Sequence, residues 1–81
     1  MDDEMRKIRG LKNKYVPGTE IMLIKMEDTQ APPFGTKGIV DFVDDIGNIH
    51  VRWSNGSSLS IIDGVDSFKV IRYGDEDDNG D

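Results

Sequence analysis

His50 is the single histidine in a chain of 81 residues that has no cysteine, so activation of a nucleophile by histidine has one candidate base. Ser57, Ser58 and Ser60 follow within ten residues, and a Ser–His pair comes within reach if the two segments are neighbouring strands. Asp41, Asp44 and Asp45 form the second cluster that could do chemistry, three carboxylates within five residues. Neither pattern carries far. A water-exposed strand face has no cleft to exclude solvent and no evident oxyanion donors, and serines beside an Asn-Gly pair have ordinary turn chemistry. A calcium loop needs more oxygen ligands at fixed spacing than Asp41, Asp44 and Asp45 supply, and the acidic run at 75–81 lacks the Glu that would complete one. The residues therefore predict no enzyme, no metal site and no cofactor, and turn attention to surfaces that bind.

The elements that position these groups are strands. Residues 38–62 read as three short strands joined by two turns, and the rest of the chain is built around them. Asn55-Gly56 predicts a two-residue type I′ hairpin, because both residues tolerate positive φ at low cost. Asp44-Asp45-Ile46-Gly47 supplies the other turn. Between them Ile49, Val51 and Trp53 alternate with Asn48, His50 and Arg52, which places the first set in the core and the second in water.

Upstream, Val16-Pro17-Gly18-Thr19 launches a strand over 20–26, with Ile21 and Leu23 on one face but Met22 and Ile24 apolar on the other. The segment 1–14 is the natural cover for that second face, as a short helix or an irregular arm, since Met5, Ile8 and Leu11 recur every three residues while Gly10 interrupts. Residues 27–36 form an excursion loop in which Pro32, Pro33 and Gly35 surround Phe34. Phe34 either plugs the end of the fold, the commoner outcome for an aromatic, or is displayed. A strand over 37–43 carries Val40 and Phe42 on one face with Asp41 opposite, a fourth strand ends the run 59–62, a 3₁₀ turn covers 63–67 and a fifth strand spans 68–72. The tail 74–81 is acidic and expected to be disordered.

This order of elements is that of an SH3-like barrel: an all-β, five-stranded, partly open barrel over residues 15–73, with closure taken by analogy. Tyr15-x-Pro17-Gly18-Thr19, the run Ala31-Pro32-Pro33-x-Gly35-Thr36-Lys37-Gly38, the stretch from Asp44 through Trp53 to Asn55-Gly56-Ser57-Ser58-Leu59, and Gly64-Val65-Asp66-x-Phe68 resemble a domain-of-unknown-function family of short proteins carried by bacteria, phages and mobile elements. The resemblance covers residues 15–72. It implies a barrel and a bacterial or phage origin, and no activity.

Binding residues follow from the same frame. Trp53 belongs to the inward set, yet at a strand end it can also floor a groove. By analogy with SH3-like domains, that groove lies between the loop bearing Phe34 and the turn at Asp44 and Asp45, with Tyr15 or Tyr73 as walls and His50 and Arg52 on the outward face. The net charge is −6, and it is uneven: +2 over residues 1–14, −3 over 15–73 and −5 over 74–81. An acidic chain is repelled by phosphate backbones unless a local basic patch overrides the field. An unidentified protein is therefore the expected partner. Nucleic-acid binding through His50, Arg52, Lys69 and the N-terminal cations is the alternative, and mimicry of nucleic acid by the carboxylates is a third reading. No apolar run approaches the ~20 residues of a membrane span and the N-terminus is acidic, so a cytoplasmic monomer with no membrane contact is expected.

Overall fold

The computed structural model describes residues 3–74, a mostly-β unit of one helix and one antiparallel sheet. The elements are α1 (Asp3–Lys14), β1 (Glu20–Lys25), β2 (Lys37–Val43), β3 (Asn48–Trp53), β4 (Ile61–Ile62) and β5 (Ser67–Arg72). The strands lie in the order β4-β3-β2-β1-β5. No helix of the described residues is long and apolar enough to cross a membrane.

One face of the sheet makes the core. Ile21 and Leu23 of β1, Val40 and Val43 of β2, Ile49, Val51 and Trp53 of β3 and Ile61 of β4 are buried together with Tyr15, and Phe68 and Val70 of β5 pack against them. β4 and β5 are opposite edges of the strand order, yet residues 63–66 alone join them. A flat five-stranded sheet would be roughly 19 Å across, whereas the link is a tight turn in which the Val65 and Asp66 amides both donate to the Ile62 carbonyl, at 3.0 and 2.9 Å. Such a turn brings its own ends within about 7 Å, so the sheet is curved rather than flat, although β4 and β5 do not come into contact along their lengths. Among the described residues no ladder joins β4 to β5.

Four local expectations of the strands and turns change. The 63–67 segment is this turn, with Gly64 at φ +87°, rather than a 3₁₀ helix. Its geometry is held by the Asp66 carboxylate, which accepts from Ile62 N at 2.9 Å and Glu27 N at 3.3 Å. The hairpin at Asn55-Gly56 has three loop residues, not two. Trp53 N donates to Ser57 O and Gly56 N to Trp53 O, so Gly56, at φ +90°, takes the left-handed position that ends a three-residue loop. The loop after β2 repeats the pattern, with Gly47 at φ +91° and Asp44 N on Asn48 O. The fourth strand shrinks to two residues because residues 57–60 cross over Trp53, whose indole N–H donates to Leu59 O at 2.8 Å.

The fourth change concerns β2. Phe42 does not share a face with Val40: a bulge between them leaves Asp41 unpaired, and Val43 takes the second inward position while Phe42 turns outward. One extra residue flips the side-chain phase, which alternation alone does not register.

The segment 3–14 is helical, with Asp3 and Glu4 in the first turn and Lys12 and Lys14 in the last, both complementing the helix dipole. It does not cover the second face of β1, where Ile24 stays exposed. Instead Leu11 packs against the core and Ile8 and Leu11 close over Gly47, while Lys12 Nζ meets Asp45 Oδ1 at 2.6 Å. A Cβ on Gly47 would meet these two side chains at ordinary contact distances of 3.5 and 3.8 Å, so it is the positive φ of +91°, not space, that calls for glycine here.

Thr19 ties the two ends of the fold. It is fully buried, its hydroxyl donates to Val16 O at 2.8 Å, and the same oxygen accepts the amide of Gly74 at 2.9 Å. Thr19→Val keeps the shape but strands both partners, and is expected to cost about 1–3 kcal/mol. Urea unfolding together with amide exchange at Gly74 checks this: unchanged exchange at Gly74 would rule the bond out as a tether.

Candidate functional site

Outward on β2 and β3, a polar cluster forms around His50. The rings of Phe42 and His50 stack, with centroids 4.3 Å apart and planes 7° from parallel. His50 Nε2 lies 2.8 Å from Asp44 Oδ2, and because a carboxylate can only accept, Nε2 carries the proton. His50 Nδ1 then faces Ser60 Oγ at 3.4 Å. Ser60, rather than Ser57 or Ser58, is thus the serine brought to the histidine, and Asp44 completes an Asp–His–Ser chain that the sequence did not foretell. Asp44 also holds the loop: its Oδ1 accepts from Ile46 N at 3.1 Å and Asn48 N at 2.8 Å. The cluster is a clamp that binds the β2–β3 loop to the outer face of β3 and to the approach of β4.

The hydrogen bond from His50, followed by those from the Asn48 and Ile46 amides, lowers the Asp44 carboxyl from 3.8 to about 2. A depressed folded-state pKa means that the unfolded chain takes up the proton first. Asp44 therefore stabilises the fold above pH ~4, and that contribution disappears as the pH falls towards about 2. Comparing urea midpoints of the native chain and Asp44→Asn at several pH values tests it. The gap present at neutral pH should close near pH 2, and a gap independent of pH would contradict the assignment.

The three carboxylates of the expected acidic cluster go separate ways. Asp44 binds His50, Asp45 pairs with Lys12, and Asp41 is exposed at the β2 bulge. Among the described residues no group of three His, Asp or Glu side chains converges as metal ligands.

The predicted groove does not form. Phe34 precedes β2 and Asp44 and Asp45 follow it, so they lie at opposite ends of a seven-residue strand, roughly 23 Å apart. Trp53 is 4% exposed and Tyr15 is buried with its ring edge-to-face on Phe68 at 5.3 Å, so both belong to the core and offer no partner surface. Phe34 does not plug the fold: it is 73% exposed at the tip of a turn closed by Gly35, and Pro32 is the buried residue of that loop. Tyr73 is exposed, but with the groove absent it walls nothing.

Arg52 is the expected site residue that finds company. Cross-strand partners on the outer face run Arg52, Ile39, Glu20, Arg72 in one row and Lys37, Met22, Lys69 in the next. Opposed side chains in such rows stand about 5 Å apart, so four cations ring Met22 and Ile39 with one carboxylate among them. That carboxylate, Glu20, pairs with Arg72 at 2.6 Å. Lys37, Arg52 and Lys69 have no ion-pair partner among the described residues. An open cleft of about 290 Å³ between the rows is lined by Glu20, Lys37, Gly38, Ile39, Arg52 and Ser54.

Charge along the chain hid this face, since its cations come from β2, β3 and β5 and meet only through register. The signal was present in outward strand positions that are basic: Lys37, Arg52 and Lys69. Whole-chain charge also misled. Residues 3–74 carry ten acids and ten bases, and the net −6 resides in Asp2 and the five acids of 75–81. The disordered tail expected over 74–81 lies outside the described residues except for Gly74, which is held by Thr19.

In comparisons with known proteins, the family described as Domain of unknown function (DUF4314) matches residues 4–71. No curated protein and no solved structure matches the chain.

Proposed function

Because the chain belongs to the DUF4314 family, described only as of unknown function, we propose from its geometry that it is a non-enzymatic protein-interaction module that takes an acidic segment of a partner on the outer face of its sheet. One observation carries this reading: Lys37, Arg52, Lys69 and Arg72 ring the apolar Met22 and Ile39, with an open cleft beside Lys37, Ile39 and Arg52. Carboxylates of a partner would satisfy three cations that have no counter-ion among the described residues, and apolar partner residues would cover Met22 and Ile39. The two rows contain no aromatic side chain on which bases could stack, which favours an acidic peptide over single-stranded nucleic acid. The Asp44–His50–Ser60 chain is read as structural, since the Asp44 carboxylate is occupied by two loop amides and the Ser60 contact is long. The module is proposed to act as a cytoplasmic monomer, of the bacterial or phage origin that the sequence resemblance implies.

Fluorescence anisotropy tests the reading with two probes, a short fluorescein-labelled peptide rich in Glu and Leu and a labelled single-stranded oligonucleotide. The peptide should bind with an affinity that falls as salt rises, and a Lys37→Glu, Arg52→Glu chain should bind it at least about tenfold more weakly. Equal binding by the charge-reversed chain would remove the face from consideration. Tighter binding of the oligonucleotide would replace the protein partner with nucleic acid.

A further inference from the structure

We infer that the acidic segment 75–81 of this same chain is an occupant of the cationic sheet face and competes there with the external partner. The inference rests on the reading of that face as the binding surface and adds its regulation. Three observations meet. The segment carries Asp75, Glu76, Asp77, Asp78 and Asp81 and no cation. The face carries four cations to one carboxylate, with Lys37, Arg52 and Lys69 unpaired among the described residues. The segment also starts beside the face: Arg72 ends the first cationic row, and two residues later the Gly74 amide is anchored on Thr19, the neighbour of Glu20 in that row.

Reach is sufficient. Seven residues extend to roughly 24 Å, whereas Arg52, three strands away from Arg72, stands about 14 Å across the sheet. A short tether gives an effective concentration of about millimolar. An intrinsic affinity as weak as about millimolar then leaves the face half-occupied and weakens an external acidic ligand about two-fold. Gly74 keeps the tether short. A side-chain Cβ there would stand 2.7 Å from Pro17 O and 2.9 Å from Val16 Cγ2, so the chain passes this point pressed against the Pro17 turn.

The charge pattern distinguishes this occupant from a second copy of the chain by concentration. Intramolecular docking does not change on dilution, whereas exchange of the segment between two chains does.

The test uses the full chain and a variant in which Asp75, Asp77 and Asp78 become Asn and Glu76 becomes Gln. Amide resonances of residues 37–39, 52 and 69–72 are compared by NMR between the two. They should differ at low salt, converge at high salt, and hold their positions on dilution. A Lys37→Gln, Arg52→Gln chain should show no such difference when its segment is neutralised. The neutralised chain should also bind the labelled Glu- and Leu-rich peptide about two-fold or more tightly than the native chain. Superimposable spectra on this face, unchanged peptide affinity, or shifts that vary with concentration would each overturn the inference. If the peptide binds neither chain, the interaction-module reading has failed, and the spectra alone decide whether the segment occupies the face.

Discussion

Trp53→Ala should destabilise the protein by about 3–5 kcal/mol, a large share of the ~4–12 kcal/mol that a chain of this length possesses. The indole is 4% exposed at the end of β3, lies over Gly38 on the neighbouring strand, and joins a cluster with Val51 and the other inward residues. Its N–H is also the bond that draws residues 57–60 across the sheet to Leu59. Truncation removes the filler and the tether together, so the short β4 should lose its approach as well. Because Trp53 is the only tryptophan, unfolding must be followed by circular dichroism rather than by fluorescence. The urea midpoint should fall by roughly 2 M or more. Trp53→Phe retains most of the volume and loses the hydrogen bond, and should cost about 0.5–1.5 kcal/mol. A Trp53→Ala chain with an unchanged midpoint would return this residue to the candidate partner surface.

Gly38→Ala should cost about 1–3 kcal/mol by overpacking. A Cβ built at Gly38 stands 2.5 Å from Val51 Cγ1 and 2.7 Å from Trp53 Cε3, distances that ordinary contacts do not reach. Gly38 sits directly opposite Trp53 in the β2–β3 ladder, and the absent side chain is what lets the indole lie flat against β2. The strain is steric, not conformational, since the left-handed glycines of this fold are elsewhere. The melting temperature should drop by about 4–8 °C for each kcal/mol. Shortening the obstructing neighbour separates this from a general loss of stability. In a Gly38→Ala, Val51→Ala chain the two costs should fall short of additivity by at least about 0.5 kcal/mol. Strict additivity would show that the added methyl does not meet Val51.

These two residues also mark how far the sequence carries. Ile49, Val51 and Trp53 alternate with polar neighbours over six residues, and a strand with that pattern has one stable way to face a core. Gly47 and Gly56 likewise announce turns at the right places, because no other residue takes positive φ as cheaply. Gly38, in contrast, carries no mark in the sequence of why it is glycine. Its role depends on Trp53, fifteen positions later, lying directly across the ladder.

The candidate site was harder to read. Arg52 and Lys69 stand out as basic residues at outward positions, but neither has a partner within its own strand. Register makes the surface: Glu20 pairs with both Ile39 and Arg72, and Met22 with both Lys37 and Lys69, so that β1 gathers cations from its two neighbours. The expected groove failed for a related reason, since its two halves flank one strand and an extended strand separates what it connects.

By itself, then, the sequence determined the strands and their order along the chain, the inward residues of β1 and β3 and the positions of the turns, because period-two alternation and left-handed glycines are local properties of the chain. Tertiary structure alone decided the rest. A one-residue bulge at Asp41 turned Phe42 outward to stack on His50, and that outward stack met Asp44 and Ser60. Pairing across four strands gathered scattered cations on one face of a body, residues 3–74, whose acids and bases balance. Register and bulges are set by many long-range contacts at once, each worth little alone, and no window of sequence contains them.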